Sequence, residues 1–190
     1  MGRFWTDATG KDPKRAYRFQ CVLPNLGENG CTWFITSVGK PAVTISESKH
    51  TYLNHDFYYP GRVSWNTISV NLVDPVEPDA TAIMSAAIED AGYKVPASFE
   101  QTSTISKAGA TAQLGIVEIN QIDSEGKPVE SWTLHNAWIK SATFGDLDYG
   151  TDGLTNVTIE VRYDWAQLDI HGATAGVQDR KANDGIFQQQ

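Results

Sequence analysis

Apolar and polar positions alternate over most of the chain, and this alternation predicts β-strands. Side chains of a strand point in turn to its two faces, so one apolar face indicates a strand half-buried against a core. The pattern runs through residues 17–23, 31–39, 62–73, 114–122, 129–140 and 157–165, with a shorter extended piece at 42–46. We therefore expect six or seven strands.

The last of these segments has the most regular alternation. One predicted face carries Val157, Ile159, Val161, Tyr163 and Trp165, and the other carries Thr158, Glu160, Arg162 and Asp164. The first face is typical of a core surface and the second of an exposed one.

Two connections are also predicted from the sequence. The turn residues of 24–30 (PNLGENG) indicate that the first two strands form a hairpin. Residues 46–61 (SESKHTYLNHDFYYPG) are polar and aromatic without helical periodicity. They predict a long exposed loop or a protruding hairpin.

One segment has helical periodicity. Ile83, Met84, Ala87, Ile88 and Ala91 recur at helical spacing between Pro78, which suits a first turn, and Gly92, which suits a C-cap. The narrow apolar stripe predicts packing on a sheet edge or barrel mouth. The fold class is therefore mainly β: an antiparallel barrel or sandwich with one flanking helix.

The chain of 190 residues is long enough for one well-packed core. We expect a flexible arm over residues 1–13, a single domain over 14–168 and a polar tail over 169–190. The formal net charge of −8 and the lack of a dense Lys/Arg cluster argue against conventional nucleic-acid binding. Cys21 and Cys31 are expected to be buried free thiols. No apolar run is long enough to predict a membrane span.

No motif for catalysis, metal or cofactor binding was found. Asp146, Asp148 and Asp152 superficially resemble a calcium loop, but the ligand spacing fails at the essential positions. His50 and His55 do not have zinc-ligand spacing. Nucleophile elbows and phosphate-binding loops are also missing. We expect neither an enzyme nor a cofactor.

The segment from Tyr52 to Trp65 carries aromatic residues without the periodicity of a core strand. Tyr52, Phe57, Tyr58 and Tyr59 fall in this stretch. Exposed aromatics are common in protein–protein contacts and are otherwise an aggregation liability, so the segment predicts a partner surface.

Three features together resemble the tail tube protein of contractile-tailed bacteriophages. The first is the closing region, in which Trp138-Ile139-Lys140 leads through Gly145-Asp146-Leu147-Asp148-Tyr149 into the strand that ends at Trp165. The second is FYYPGRVSWNTISVNLVD, from Phe57 to Asp74, and the third is the helix directly after it. The resemblance covers roughly residues 14–168.

The resemblance implies sixfold rings whose neighbouring subunits complete an inner barrel, stacked into a hollow tube. Double-stranded DNA would pass through without specific binding, and the protein would lie in the virion tail after assembly in the host cytoplasm. Implied partners are further copies of the chain, the sheath protein, baseplate proteins, the tape measure protein and the tail terminator.

The resemblance also gives candidate sites. By analogy, Tyr52, Phe57, Tyr58, Tyr59 and Arg62 would make the ring-to-ring contact. Glu160 and Asp164 alternate with the core face and are candidates to line the lumen, where negative charge would repel phosphate. Arg162 on the same face would have to be paired.

Alternatives within the same architecture are a type VI secretion or bacteriocin-type tube subunit, and a baseplate or terminator protein that forms a single ring. An alternative from another class is a carbohydrate-binding β-sandwich that uses Trp5, Tyr58 or Tyr59.

Overall fold

The computed structural model describes residues 13–26, 34–94 and 104–171. These residues form two four-stranded antiparallel sheets, a two-stranded hairpin and two helices. In chain order the elements are β1 Phe19–Val22, β2 Ile35–Val38, β3 Val43–Tyr52, β4 His55–Trp65, β5 Ile68–Val73, α1 Ala80–Asp90, α2 Lys107–Leu114, β6 Val117–Ile122, β7 Pro128–His135, β8 Trp138–Phe144, β9 Asn156–Arg162 and β10 Trp165–Ile170.

The first sheet has the strand order β1-β6-β7-β10, and the second has the order β2-β5-β9-β8. The core lies between them because each sheet contributes one apolar face. Buried apolar residues of the first sheet are Cys21, Val117, Ile119, Leu134 and Ala166, and those of the second include Val70, Leu72, Val157, Ile159 and Val161. The predicted mainly antiparallel β class is confirmed.

The prediction of two long strands was wrong in one respect, because each predicted segment forms two strands that belong to different sheets. Residues 129–140 divide into β7 and β8 at Asn136, which has φ 54° and turns the chain. Residues 157–165 divide into β9 and β10. Consequently Trp165 does not share the buried face of Tyr163 and is 44% exposed.

The first predicted hairpin was also wrong. β1 pairs with β6 in the first sheet, whereas β2 pairs with β5 in the second. Turn residues between two strands set a change of direction but not the partner of either strand. Residues 27–33, including Cys31, lie outside the described residues. Cys21 is a buried free thiol as predicted, and burial raises its pKa to about 12.

The helix predicted over residues 78–92 is present as α1. Asp79 is its N-cap and accepts a hydrogen bond from the Ala82 amide at 3.0 Å. Asp74, at the end of β5, supports the same turn by accepting from the amides of Ala80 and Thr81 at 3.1 and 3.2 Å. The chain turns away at Gly92, which has φ 117°.

The prediction of a single helix was wrong. α2 is capped by Ser106, whose side chain accepts from the Gly109 amide at 3.0 Å. It is eight residues long and buries only Ala110 and Leu114, which are too few to give a visible helical period in the sequence.

The two helices contact each other, and both contact β8, an edge strand of the second sheet. The predicted packing on a sheet edge is confirmed. Neither helix of the described ranges is long and apolar enough to cross a membrane.

Candidate assembly surfaces

The β3–β4 hairpin protrudes from the sandwich, as one of the two sequence interpretations predicted. Every residue from Val43 to Ser64 is exposed. β3 follows β2 and β4 precedes β5, so the β3–β4 pair continues the β2–β5 pair. The hairpin leaves the second sheet at the end where β5 begins. A strand of ten residues at about 3.3 Å per residue extends roughly 30 Å. The hairpin therefore presents a two-sided ribbon well away from the core.

The register divides the predicted contact residues between the two faces of the ribbon. Tyr52 lies opposite His55, and His50 opposite Phe57, with Tyr59 next on the same side. We call this set of five residues the aromatic face. None of the five side chains is acidic. Its tyrosines and phenylalanine are 49–64% exposed.

Tyr58 points to the other face, where it lies opposite Lys49. Lys49 forms a 2.8 Å salt bridge with Asp56, which lowers the pKa of that carboxyl. Nearer the sandwich this face is apolar, with Val43, Ile45, Val63 and Trp65. The sequence did identify the exposed aromatics, but only the register separates them into two surfaces.

Arg62 lies at an irregularity in the ladder where Gly61 and Arg62 face Ser46. Its amide donates to the Ser46 hydroxyl at 2.8 Å. A Cβ on Gly61 would lie 2.5 Å from that same oxygen, so the backbones approach closely here. The Arg62 side chain makes no salt bridge with any residue in the described ranges.

The base of the hairpin is fixed to the sandwich at two points. Trp65 contacts the buried Tyr163, with ring centroids 5.9 Å apart. Just before the other strand, Lys40 donates to Glu130 at 2.8 Å and to Gln121 at 2.6 Å. Both acceptors are on the first sheet and are less than 10% exposed. The hairpin thus emerges from a rigid support.

Glu130 is the centre of that second anchor. Burial by itself would raise its pKa, but hydrogen bonds from Lys14, Lys40 and Trp132 outweigh that effect and lower the pKa from 4.5 to about 2. The carboxylate is therefore charged throughout the physiological range. It joins the start of the described chain to the hairpin base.

The two acids predicted to line a lumen lie close to the end from which the hairpin emerges, and both are paired. Glu160 points to the outer face of the second sheet and accepts from Lys140 at 3.0 Å. Asp164 lies at the corner between β9 and β10 and accepts from Lys107 at 2.6 Å and Asn136 at 2.8 Å. These two hydrogen bonds lower the pKa of Asp164. Neither acid carries an uncompensated charge. Arg162, which was expected to be paired, makes no salt bridge within the described ranges.

The opposite end of the second sheet carries the connection between β8 and β9, residues 145–155, which we call the acidic loop. Its base is closed by a 2.9 Å hydrogen bond from the Gly145 amide to the Asn156 carbonyl. Leu147 is 87% exposed, Leu154 is 75% exposed and Tyr149 is fully exposed. The sequence drew attention to the carboxylates of this loop but not to its apolar side chains.

The carboxylates of the acidic loop make no ion pair in the described ranges. Asp148 accepts from the Gly150 amide at 2.9 Å, which shapes the turn. No group of three or more potential metal ligands occurs among residues 13–26, 34–94 and 104–171. The loop thus combines exposed apolar side chains with unpaired negative charge.

The fold defined by these two sheets and the flanking helices is that of tube and cap components of contractile injection systems. No family model matches the sequence, and no curated protein matches it. The likeness is one of structure, at low sequence identity.

Three solved structures show it. The chain resembles a component of the anti-feeding prophage cap, the tube terminating cap, with TM-score 0.60 and 16% identity over 85% of this chain and 93% of that one. It also resembles a component of the PVC sheath-tube complex in the extended state, with TM-score 0.57 and 14% identity over 90% of this chain and 100% of that one. The third is a component of the anti-feeding prophage baseplate, with TM-score 0.55 and 17% identity over 83% of this chain and 96% of that one. The expected tail tube fold is confirmed.

Proposed function

We propose that this chain is a structural, non-enzymatic subunit that forms hexameric rings, and that the rings stack into the hollow tube of a contractile tail. The observation that carries the proposal is the protruding hairpin with its exposed aromatic side chains. A ribbon of roughly 30 Å with aromatics on both faces is unfavourable on an isolated protein and suits burial against another subunit. The tube and cap fold supports the same conclusion.

Ring closure would use the open edges of the second sheet. In the described residues, β2 and β8 each have a strand partner on one side only, and an edge strand of this kind can pair with another chain where the helices that contact β8 leave its backbone accessible. Joining β8 of one subunit to β2 of the next would continue the sheet around a sixfold ring. The outer face of this sheet would then line the bore.

This arrangement would place Glu160 in the bore, as expected, together with Lys140, Arg162 and neutral side chains such as Ser69 and Thr158. The Lys140–Glu160 pair is neutral as a unit, which leaves Arg162 as one unpaired cation per subunit among these side chains. The lining would therefore not be the negative surface that the two acids alone suggested, but with a single cation per subunit it would offer a polyanion few phosphate contacts. Asp164 would lie at the rim of the bore.

In the particular setting that we favour, the tube belongs to a phage tail. It would carry double-stranded DNA during ejection, and it would contact the sheath protein, baseplate proteins, the tape measure protein and the terminator. A tube of type VI or bacteriocin type would share the same ring chemistry. Isolation of the native particle, with or without DNA, decides between these settings.

The stacking role of the hairpin is tested with F57A/Y58A, which removes one aromatic from each face. Since both side chains are exposed, the subunit should fold normally and form rings that no longer stack. Negative-stain images of the purified protein measure ring and tube length. Tyr93→Ala, an exposed tyrosine after α1, is the control and should leave stacking intact. Long tubes of the double variant would refute the assignment.

A second candidate function is a tube-terminating ring, which the likeness to the cap structure favours. Such a protein would form single rings that add to the end of a tube without polymerising. The same images separate the two: tubes of variable length support the tube subunit, and single rings support the cap.

A further inference from the structure

The hairpin and the acidic loop lie at opposite ends of one sheet. Ile68, where β5 begins after the hairpin, pairs with Val161, and Trp138 pairs with Arg162 at the same end. Val73 pairs with Asn156 at the other end, next to the acidic loop. A surface at one end that fits a surface at the other end produces head-to-tail contacts, which repeat along an axis when no rotation closes them into a ring.

The acidic-loop end is suited to receive a ribbon that has exposed aromatics. Val76, in the segment after β5, is 99% exposed. This segment adjoins the loop, since the Asp74 amide donates to the Thr155 carbonyl at 2.9 Å. Val76, Leu147, Tyr149 and Leu154 are thus exposed side chains at the same end of the sheet, which we call the apolar patch, and nothing in the described residues covers them.

The two ends are also compatible in charge. The acidic loop carries Asp146, Asp148 and Asp152, none of which has a cationic partner in the described ranges. The hairpin is formally neutral as a whole, but its Arg62 has no ion pair in the described ranges and its aromatic face carries no acid. Complementary potentials favour one register of association over others.

We propose that the acidic loop, together with Val76, is the surface that receives the β3–β4 hairpin of a second copy of this chain in the next ring. The inference rests on the proposed function, because it names the counter-surface for stacking. The apolar patch would cover the hairpin aromatics, and the loop carboxylates would face Arg62 and the two histidines.

A charge exchange between the two ends tests the pairing. Variant R62E places an acid on the hairpin, and variant D146K/D152K makes the loop basic while leaving the Asp148 turn intact. Each variant alone brings like charges together, so we expect the fraction of stacked rings to fall about tenfold.

An equal mixture of the two variants should recover stacking, because their rings can alternate. The acid that R62E introduces then meets the basic loop of D146K/D152K, and Arg62 of the loop variant meets the native aspartates of the hairpin variant. The stacked fraction should return to within about threefold of the unmodified protein.

The control E89K/D90K makes the same charge change at two exposed residues of α1 and should stack like the unmodified protein. Negative-stain images supply ring counts and stack lengths, and circular dichroism establishes folding.

If D146K/D152K stacks normally, or if the mixture does not recover stacking, the proposed counter-surface is wrong while the tube function stands. If the control loses stacking as well, the effect is not specific to the loop and the inference is overturned. If the unmodified protein forms no rings, the proposed function itself fails.

Discussion

At the scale of single residues, Glu130 shows how a charged group can hold a fold together. It is the one charged residue among the buried residues of the described ranges, and it accepts hydrogen bonds from Lys14, Lys40 and Trp132. Three donors compensate for its desolvation, which is why its pKa is lowered and not raised. Replacing the carboxylate by an amide would leave the two lysines without their anionic partner and the cluster with one acceptor oxygen in place of two.

Glu130→Gln should therefore lower the free energy of unfolding by roughly 3 kcal/mol at pH 7, following the pKa difference between the folded and unfolded states. The folded-state pKa is depressed, so this stabilisation is fully present above pH 4.5 and is lost as pH falls towards 2. The variant and the unmodified protein should thus converge in stability near pH 2. Urea denaturation at several pH values measures the difference.

The control is Glu125→Gln. Glu125 pairs with Lys127 at 2.8 Å, but both side chains are more than two-thirds exposed, so the loss should be small. A Glu130→Gln protein with unchanged pH-dependent stability would show that the cluster does not act through the carboxylate charge.

At the scale of elements, the connection between β8 and β9 depends on one close approach. A Cβ on Gly145 would lie 2.6 Å from the Asn156 carbonyl oxygen, which is part of the backbone and cannot move aside easily. Gly153, in the same loop, has nothing within 4 Å of such a Cβ. The two glycines therefore make a matched pair.

Gly145→Ala should destabilise the protein by about 1–3 kcal/mol, the usual cost of forcing an extra methyl into a filled space. Gly153→Ala should be neutral or slightly stabilising, because it only restricts the unfolded chain. Urea midpoints of the two variants give the comparison. Equal midpoints would mean that the loop base is looser than its hydrogen bond indicates.

The elements also show how far sequence reasoning reaches. Alternation identified most strands, and the helical period identified α1, because each depends on residues close in sequence. The corners at Asn136 and Tyr163 were missed because the apolar alternation of the sequence runs on through them to Trp138 and Trp165, although neither tryptophan is buried. α2 was missed because eight residues with two buried positions give no clear period.

The candidate surfaces were predicted in part for the same reason. The exposed aromatics of residues 52–59 were visible as a stretch without core periodicity. Their division between two faces depends on the register of β3 with β4, and the ion pairs of Glu160 and Asp164 depend on lysines distant in sequence. Such contacts require the folded structure.

At the scale of the whole molecule, the central claim is that the sandwich is an incomplete unit. Among the described residues, the second sheet has two edge strands with a single strand partner each, an exposed ribbon lies at one end, and the acidic loop with its exposed apolar side chains lies at the other. A further copy of the chain would cover these surfaces. Edge pairing would give rings, and end-to-end contact would give a tube.

Sedimentation velocity of the purified protein over a wide concentration range tests this claim most directly. We predict a species with six times the monomer mass of 20.9 kDa, and larger species in multiples of six as concentration rises. A single monomer boundary at high concentration, even after seeding with fragments of native tubes, would contradict the account.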